Sequence, residues 1–345
     1  MSSVGTGHPT HYQGPPLARQ QRPKGDADGD CPDAERWIES ALRARIGEAH
    51  LRLRLGIEAE REQQVFGRGL NFVHLENWYS VHGLIRVGLR ASLLYRRGRR
   101  NARCIQVRHN ELRLRRLPSA LDGLTILHIS DLHLDMAPDF PELLGRRVAE
   151  LDYDLCALTG DFRYRTFGPW EPCVDGLRRL HRYLRGPVYG ILGNHDSIRM
   201  VPAMEAIGVR MLMNQSDALS HRGATFYLGG VDDPHYYQAD NLEGAMAGIP
   251  EGAPSLLLAH SPEIYRRAAH CGFWAMLCGH THAGQIRLPG GIPLILNANC
   301  PRRLCAGSWE YAGMLGYTSA GAGSSVVDVR LNCPPEVTLH TLRLG

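Results

Sequence analysis

Oxygen and nitrogen donors of the metal-binding type recur in short clusters along the chain: Asp131-Leu132-His133, Gly160-Asp161, Gly193-Asn194-His195-Asp196, Ala259-His260 and Gly279-His280-Thr281-His282. Hydrolysing a phosphate ester at neutral pH needs a hydroxide nucleophile and neutralisation of charge on the phosphoryl oxygens. Two divalent ions held close together supply both. A carboxylate is the natural bridge between such ions, because each of its oxygens can bind one of them. Imidazole and carbonyl oxygen fill the remaining positions on borderline metals such as Mn, Fe or Zn. Asp131, His133, Asp161, Asn194, His260, His280 and His282 offer that donor set.

Each cluster follows a run that reads as a buried strand. Leu124–Ser130, Leu155–Thr159, Val188–Leu192, Ser255–Ala259 and Phe273–Cys278 are apolar stretches of strand length, and the polar residues lie just past their ends. Asp131 and His133, as i and i+2 on an extended segment, are expected to face one ion. Ligands at the carboxyl ends of strands are the rule in open α/β sheets. Taken singly, each cluster reads as readily as a turn or a helix cap. Their order, and the strand before every one, carries the metal reading.

The ordered set resembles the calcineurin-like metallophosphoesterases over residues 103–345. The resemblance implies an α/β fold, a four-layer αββα sandwich, here with an N-terminal helical extension, and a site on loops at one edge. It implies that Asp131, His133 and His282 bind one ion, that Asp161 bridges, and that Asn194, His260 and His280 bind the other. The cofactors are then two divalent metal ions, Mn first, with Zn or Fe as alternatives. His195 would stand beside them unligated, stabilising the transition state or protonating the leaving oxygen. Asp196 would support its ring, so the catalytic pair is His195 and Asp196. The reaction implied is cleavage of a phosphodiester or pyrophosphate bond by metal-bound hydroxide.

Gly279–Gly290, Gly229–Pro234 and Asn332–Val337 look like a bacterial branch of phosphodiesterases acting on lipid-linked or nucleotide-linked phosphates, some on UDP-2,3-diacylglucosamine in lipid A biosynthesis. Ala283 stands where that branch usually has glycine. Substrate does not follow from fold or motif, so a lipid-linked phosphate is an analogy. Asp161-Phe162-Arg163-Tyr164-Arg165 lacks the acidic-arginine run of protein serine/threonine phosphatases and argues against that activity. A nuclease or cyclic-nucleotide phosphodiesterase shares the ligands and is the alternative. A non-catalytic scaffold is disfavoured, having no need of the full ligand set together with His195.

The chain has 345 residues, 43% of them hydrophobic, enough for a catalytic core with a small accessory region. Its division is expected as a flexible tail over 1–30, a basic helical extension over 31–102 and the catalytic domain over 103–345. Between Arg86 and Arg116 there are eleven arginines and one acid, Glu111. Ile38, Leu42, Ile46, Ala49 and Leu53 form one stripe at helical spacing, and Val81, Ile85, Leu89 and Leu93 another. A basic amphipathic helix of the second kind suits an anionic membrane surface; the competing reading packs it on the catalytic domain with a solvated charged face. Ile105–Leu117 is expected as a hairpin turning at His109-Asn110. No apolar run is long enough to span a bilayer, and the N-terminus carries no signal pattern. The nine cysteines are scattered and odd in number, and the single lysine, Lys24, excludes Schiff-base chemistry at the site. The expected location is cytoplasmic, peripheral on the inner membrane. The expected partner is a phosphodiester or pyrophosphate substrate, with nucleic acid kept as the alternative.

Overall fold

The computed structural model describes residues 32–66, 79–293 and 295–345; the expected tail over 1–30 lies outside the described residues. Four helices come first: α1 (Pro32–Ile46), α2 (Glu48–Phe66), α3 (Tyr79–Ala91) and α4 (Leu94–Asn101). Strands and helices then alternate through β1 (Gln106–Leu114), β2 (Thr125–Ile129), α5 (Phe140–Ala149), β3 (Leu155–Thr159), α6 (Glu171–His181), β4 (Val188–Ile191), α7 (Val201–Ile207) and β5 (Val209–Met211). A second series follows: β6 (Gln215–His221), β7 (Ala224–Gly230), α8 (Leu242–Met246), β8 (Ser255–Leu258), α9 (Tyr265–His270), β9 (Ala275–Cys278), β10 (Gly307–Tyr311), β11 (Met314–Thr318) and β12 (Glu336–Leu344).

The strands form two six-stranded sheets, ordered β1-β12-β2-β3-β4-β5 and β10-β11-β9-β8-β7-β6. The pairs β2–β3, β3–β4, β4–β5, β7–β8, β8–β9 and β9–β11 are parallel. Alternation along each strand sorts its side chains between two layers. Ile126, Leu155, Ala157, Ile191, Leu256, Leu258 and Leu277 meet between the sheets. Leu127, Cys156, Leu158 and Val188 face outward in a core shared with α1, α2, α5, α6 and α7, while Leu257, Met276 and Cys278 share one with α8 and α9. The result is the αββα sandwich, with helices covering both faces of strands too apolar to be wetted on either side.

Two local expectations fail. Ile105–Leu117 is not a hairpin: β1 is one strand paired in parallel with β12, from Gln106 opposite Glu336 to Leu114 opposite Leu344. Asn110, which suggested a turn, stands in mid-strand with its side-chain amide 3.0 Å from Nδ1 of His340. The first apolar stripe also breaks. Ile38 and Leu42 are buried, but Gly47 adopts φ +82° and ends α1, so α2 starts on a new register. Ala49 is exposed and Leu53 is 52% exposed, and the buried face of α2 is instead Leu51, Arg54 and Glu58. On α3, Leu89 packs with Val327, Val329 and Leu331, as the second stripe implied, whereas Leu93 is 87% exposed; the side chain of Val81 lies outside the described residues. Among the described residues no helix is long and apolar enough to cross a membrane.

Candidate metal centre

The ligand candidates fall directly after β2, β3, β4, β8 and β9, at the ends where the parallel strands of the two sheets converge. Asp131 and His133 are not on an extended segment, however. Their φ angles are +52° and +43°, and Asp161, His280 and His282 are likewise left-handed at +53°, +69° and +47°. Non-glycine residues visit this region at a cost of roughly 1–2 kcal/mol each, and such strain is typical of functional loops. Ala283 follows at φ +49°, paying where a glycine would not. Closely approaching backbone makes the turns possible: a Cβ on Gly193 would collide with Oδ1 of Asp161, and one on Gly279 with Ser130 Oγ.

The loops bring the donors together in two groups that share one carboxylate. Asp131, His133, Asp161 and His282 form one, and Asp161, His260 and His280 the other, with the donor atoms of each within 4.8 Å of one another. Oδ2 of Asp161 is 3.3 Å from Nε2 of His260 and 4.0 Å from Nε2 of His133. Oδ1 of Asn194 is 3.0 Å from Nε2 of His260 and 2.8 Å from Nδ1 of His280. Nε2 of His282 is 3.1 Å from Nε2 of His133 and 3.5 Å from Oδ1 of Asp131. Two donors each about 2.1 Å from one ion stand about 3.0–3.4 Å apart, and three of these spacings, His260 to Asp161, His260 to Asn194 and His282 to His133, match such an edge. His133 and His260 are also held from behind: Nδ1 of each donates to a carbonyl, of Arg163 at 2.6 Å and of Thr159 at 2.7 Å, which turns Nε2 of each inward. At His282 the outer partner is instead a donor, Arg330, 3.1 Å from Nδ1.

The electrostatics agree with a site built for cations. Burial works against a charge on Asp161, but His260, His195 and His133 outweigh it and hold the carboxyl well below the usual range. Burial, reinforced by Asp161, holds Asp131 above its ordinary value. Burial would lower His260, yet Asp161 and Asp131 reverse this and raise it to about 10. Burial drives His280 and His282 well below the ordinary imidazole value. Concentrating carboxylates and imidazoles away from water is costly. Two divalent cations are counter-charges that fit this donor set.

His195 reaches the rim, with Nε2 3.9 Å from Oδ2 of Asp161. Its expected support from Asp196 is not what the structure builds. The Asp196 carboxylate accepts from the backbone amides of Phe162 (2.9 Å), Arg163 (3.1 Å) and Gly193 (2.8 Å), tying two ligand loops together. The ring of His195 meets Thr166 instead, Oγ1 lying 3.0 Å from Nδ1, and Arg163 Nε donates to the His195 carbonyl at 2.8 Å. Arg163 and Thr166 were overlooked in the sequence; closeness to Gly160-Asp161 was the one signal available.

Above the donors opens a cavity of about 530 Å³. Asp161, Asn194, His195, His280 and His282 line its polar side; Ile85 and Leu89 of α3, with Ile286, Ile295, Val326 and Val327, line its apolar side.

The family model for calcineurin-like phosphoesterase matches residues 124–284. The chain is 31% identical over 234 residues to phosphodiesterase YaeI of Escherichia coli (strain K12), covering 63% of this chain and 81% of that protein. To the uncharacterized metallophosphoesterase YkoQ of Bacillus subtilis (strain 168) it is 29% identical over 232 residues, covering 64% and 83%. A transmembrane protein with metallophosphoesterase domain from Bos taurus is 29% identical over 250 residues, and the match spans 55% of that longer protein. Fold, donor set and these likenesses agree, and the chain belongs to the calcineurin-like phosphoesterase family, as a metal-dependent hydrolase of phosphoric esters.

Proposed function

We propose that the chain is a dinuclear phosphodiesterase whose substrate carries an apolar group beside the phosphoryl centre. The observation that carries the first part is the pair of donor groups joined through Asp161. In this reading Asp131, His133 and His282 hold one ion, Asn194, His260 and His280 the other, and Asp161 both. Bound there, two divalent ions supply Lewis acidity toward the phosphoryl oxygens and a hydroxide nucleophile at neutral pH. His195, oriented by Thr166, is placed to give its proton to the leaving oxygen. Arg163 keeps the His133 and His195 loops in register by using its backbone carbonyl for one and its side chain for the other.

The apolar wall supports the finer part. A cavity of this size takes a small ligand, and isoleucine, leucine and valine walls suit alkyl chains better than phosphate-rich nucleic acid, whose affinity comes from basic contacts. The exposed arginines of α3 and α4, among them Arg86, Arg96, Arg97 and Arg100, suit approach to an anionic lipid surface, each worth about 1 kcal/mol near it. A lipid-linked phosphodiester or pyrophosphate combines these features.

Metal-stripped protein reconstituted with Mn, Zn, Fe or Mg is tested on bis-p-nitrophenyl phosphate and on p-nitrophenyl phosphodiesters with methyl, octyl or nucleosidyl second esters. The proposal expects metal-dependent cleavage that disappears in Asp161→Ala, and a KM that falls from methyl to octyl by up to about fourfold per buried methylene. Metal-independent cleavage ends the dinuclear reading. A nucleosidyl preference would replace the lipid reading with a nucleotide one.

A further inference from the structure

Helix α2 lies outside the residues matched by the family model, and it grips the loop that carries Asn194 and His195. Arg54 is fully buried. Its Nη2 donates to the backbone carbonyl of Asp196 at 2.9 Å, its Nη1 to Oε1 of Glu58 at 2.7 Å, and its Nε faces Asp232 at 3.3 Å, while the guanidinium lies 3.3 Å over the ring centre of Tyr237. Glu58, one turn later, accepts from the backbone amide of Ile198 and from Ser197 Oγ, both at 2.8 Å. Three consecutive loop residues, Asp196, Ser197 and Ile198, are thus held by two residues of α2. On the opposite side the Asp196 carboxylate binds the amides that follow Asp161.

A buried ion pair contributes little net folding stability, since apolar residues of the same volume commonly do as well. Its value lies in fixing positions, and what it fixes here is the backbone next to a ligand and a proton donor. We infer that Arg54 and Glu58 are positioning residues of the hydrolytic centre, which hold Asn194 and His195 in place through the backbone of residues 196–198. The inference rests on the dinuclear reading above. The two donor groups depend on this loop unequally: it carries Asn194, which belongs with His260 and His280, whereas Asp131, His133 and His282 are carried elsewhere. The first group meets the loop only through the shared Asp161, which accepts from the His195 amide at 3.0 Å, and through the bonds between Asp196 and the segment after Asp161.

That asymmetry gives the test. Apo protein is titrated with MnCl2 by calorimetry, and bis-p-nitrophenyl phosphate turnover is measured well below each variant's melting temperature. Glu58→Ala is expected to weaken one Mn equivalent about tenfold, in the range seen when a group behind a ligand is removed, and the other by much less. It should lower kcat about 10–100-fold, as displacements near 1 Å do, with KM within about threefold. Glu58→Gln, which keeps one acceptor for the Ile198 amide, should recover part of both. Arg54→Lys, which keeps the charge but not the fork that spans Asp196, Glu58 and Asp232, should shift the same equivalent and serves if Glu58→Ala does not fold. Both equivalents weakening together in step with melting temperature, or no change in either, overturns the inference. A wild type that binds two Mn and cleaves nothing would sink the hydrolase reading, and the titration would still decide this one.

Discussion

The two helix pairs at the start of the chain differ in kind. In α1 and α2 the inward face mixes apolar residues with charge: Ile38, Leu42 and Leu51 join the core against the first sheet, and Arg54 and Glu58 reach the loop that follows β4. In α3 and α4 the inward face is apolar and the charge is outside: Leu89 packs on Val327 and Val329 beside the cavity, while Arg86, Arg90, Arg96 and Arg97 face solvent. Both stretches are rich in arginine, yet only the first also carries acids, and there a buried arginine spaces backbone while in the second the arginines are surface charge. Where a charged residue is spent decides its consequence.

Exchanging arginines between these settings should break the comparison most sharply. Arg54→Met leaves Glu58 and Asp232 buried against a neutral neighbour and should cost about 3–5 kcal/mol, whereas Arg97→Met should stay within about 0.5 kcal/mol. Urea unfolding of both variants reads the gap, and equal effects would erase the distinction. Acid sharpens it. Burial opposes a charge on Asp232, but Arg54 and His50 outweigh it and hold the carboxyl below its ordinary value. Such a group adds stability above its unfolded pKa, about 3.9, and the gain is lost as pH falls through the lowered folded value. Without Arg54, burial dominates and the folded pKa rises, a penalty that acid relieves. The difference in melting temperature between wild type and Arg54→Met should therefore be largest near neutrality and narrow toward pH 4 and below; a gap independent of pH would mean that Asp232 is not the group concerned. A smaller effect is expected in the second pair. Leu89→Ala should raise KM for an octyl phosphodiester about tenfold, near 1.4 kcal/mol of lost apolar contact, and leave the methyl analogue within about twofold. Equal losses on both would show that Leu89 supports the fold and not the substrate.

The strands ending in ligands were legible because each is a local apolar run followed at once by its polar residues, and β2, β3, β4, β8 and β9 lie within a residue or two of where those runs placed them. The αββα layering came from family likeness, since alternation along one strand does not say which other strand it meets. What was missed depends on distant partners. The pairing of β1 with β12 joins residues more than 200 positions apart, and Glu58 meets Ile198 across 140. The stripe through Ala49 and Leu53 failed at one glycine, because a left-handed residue between helices resets the face that points inward. Asp196 sat beside His195 in sequence, yet consecutive residues point apart, and its carboxylate went to amides on another loop.

The left-handed backbone at Asp131, His133, Asp161, His280 and His282 sets activity and robustness against each other. At each of these five positions glycine would relax the chain and erase a donor. Under the dinuclear reading proposed above, substitutions at these positions that ease folding run in the direction of an inert protein.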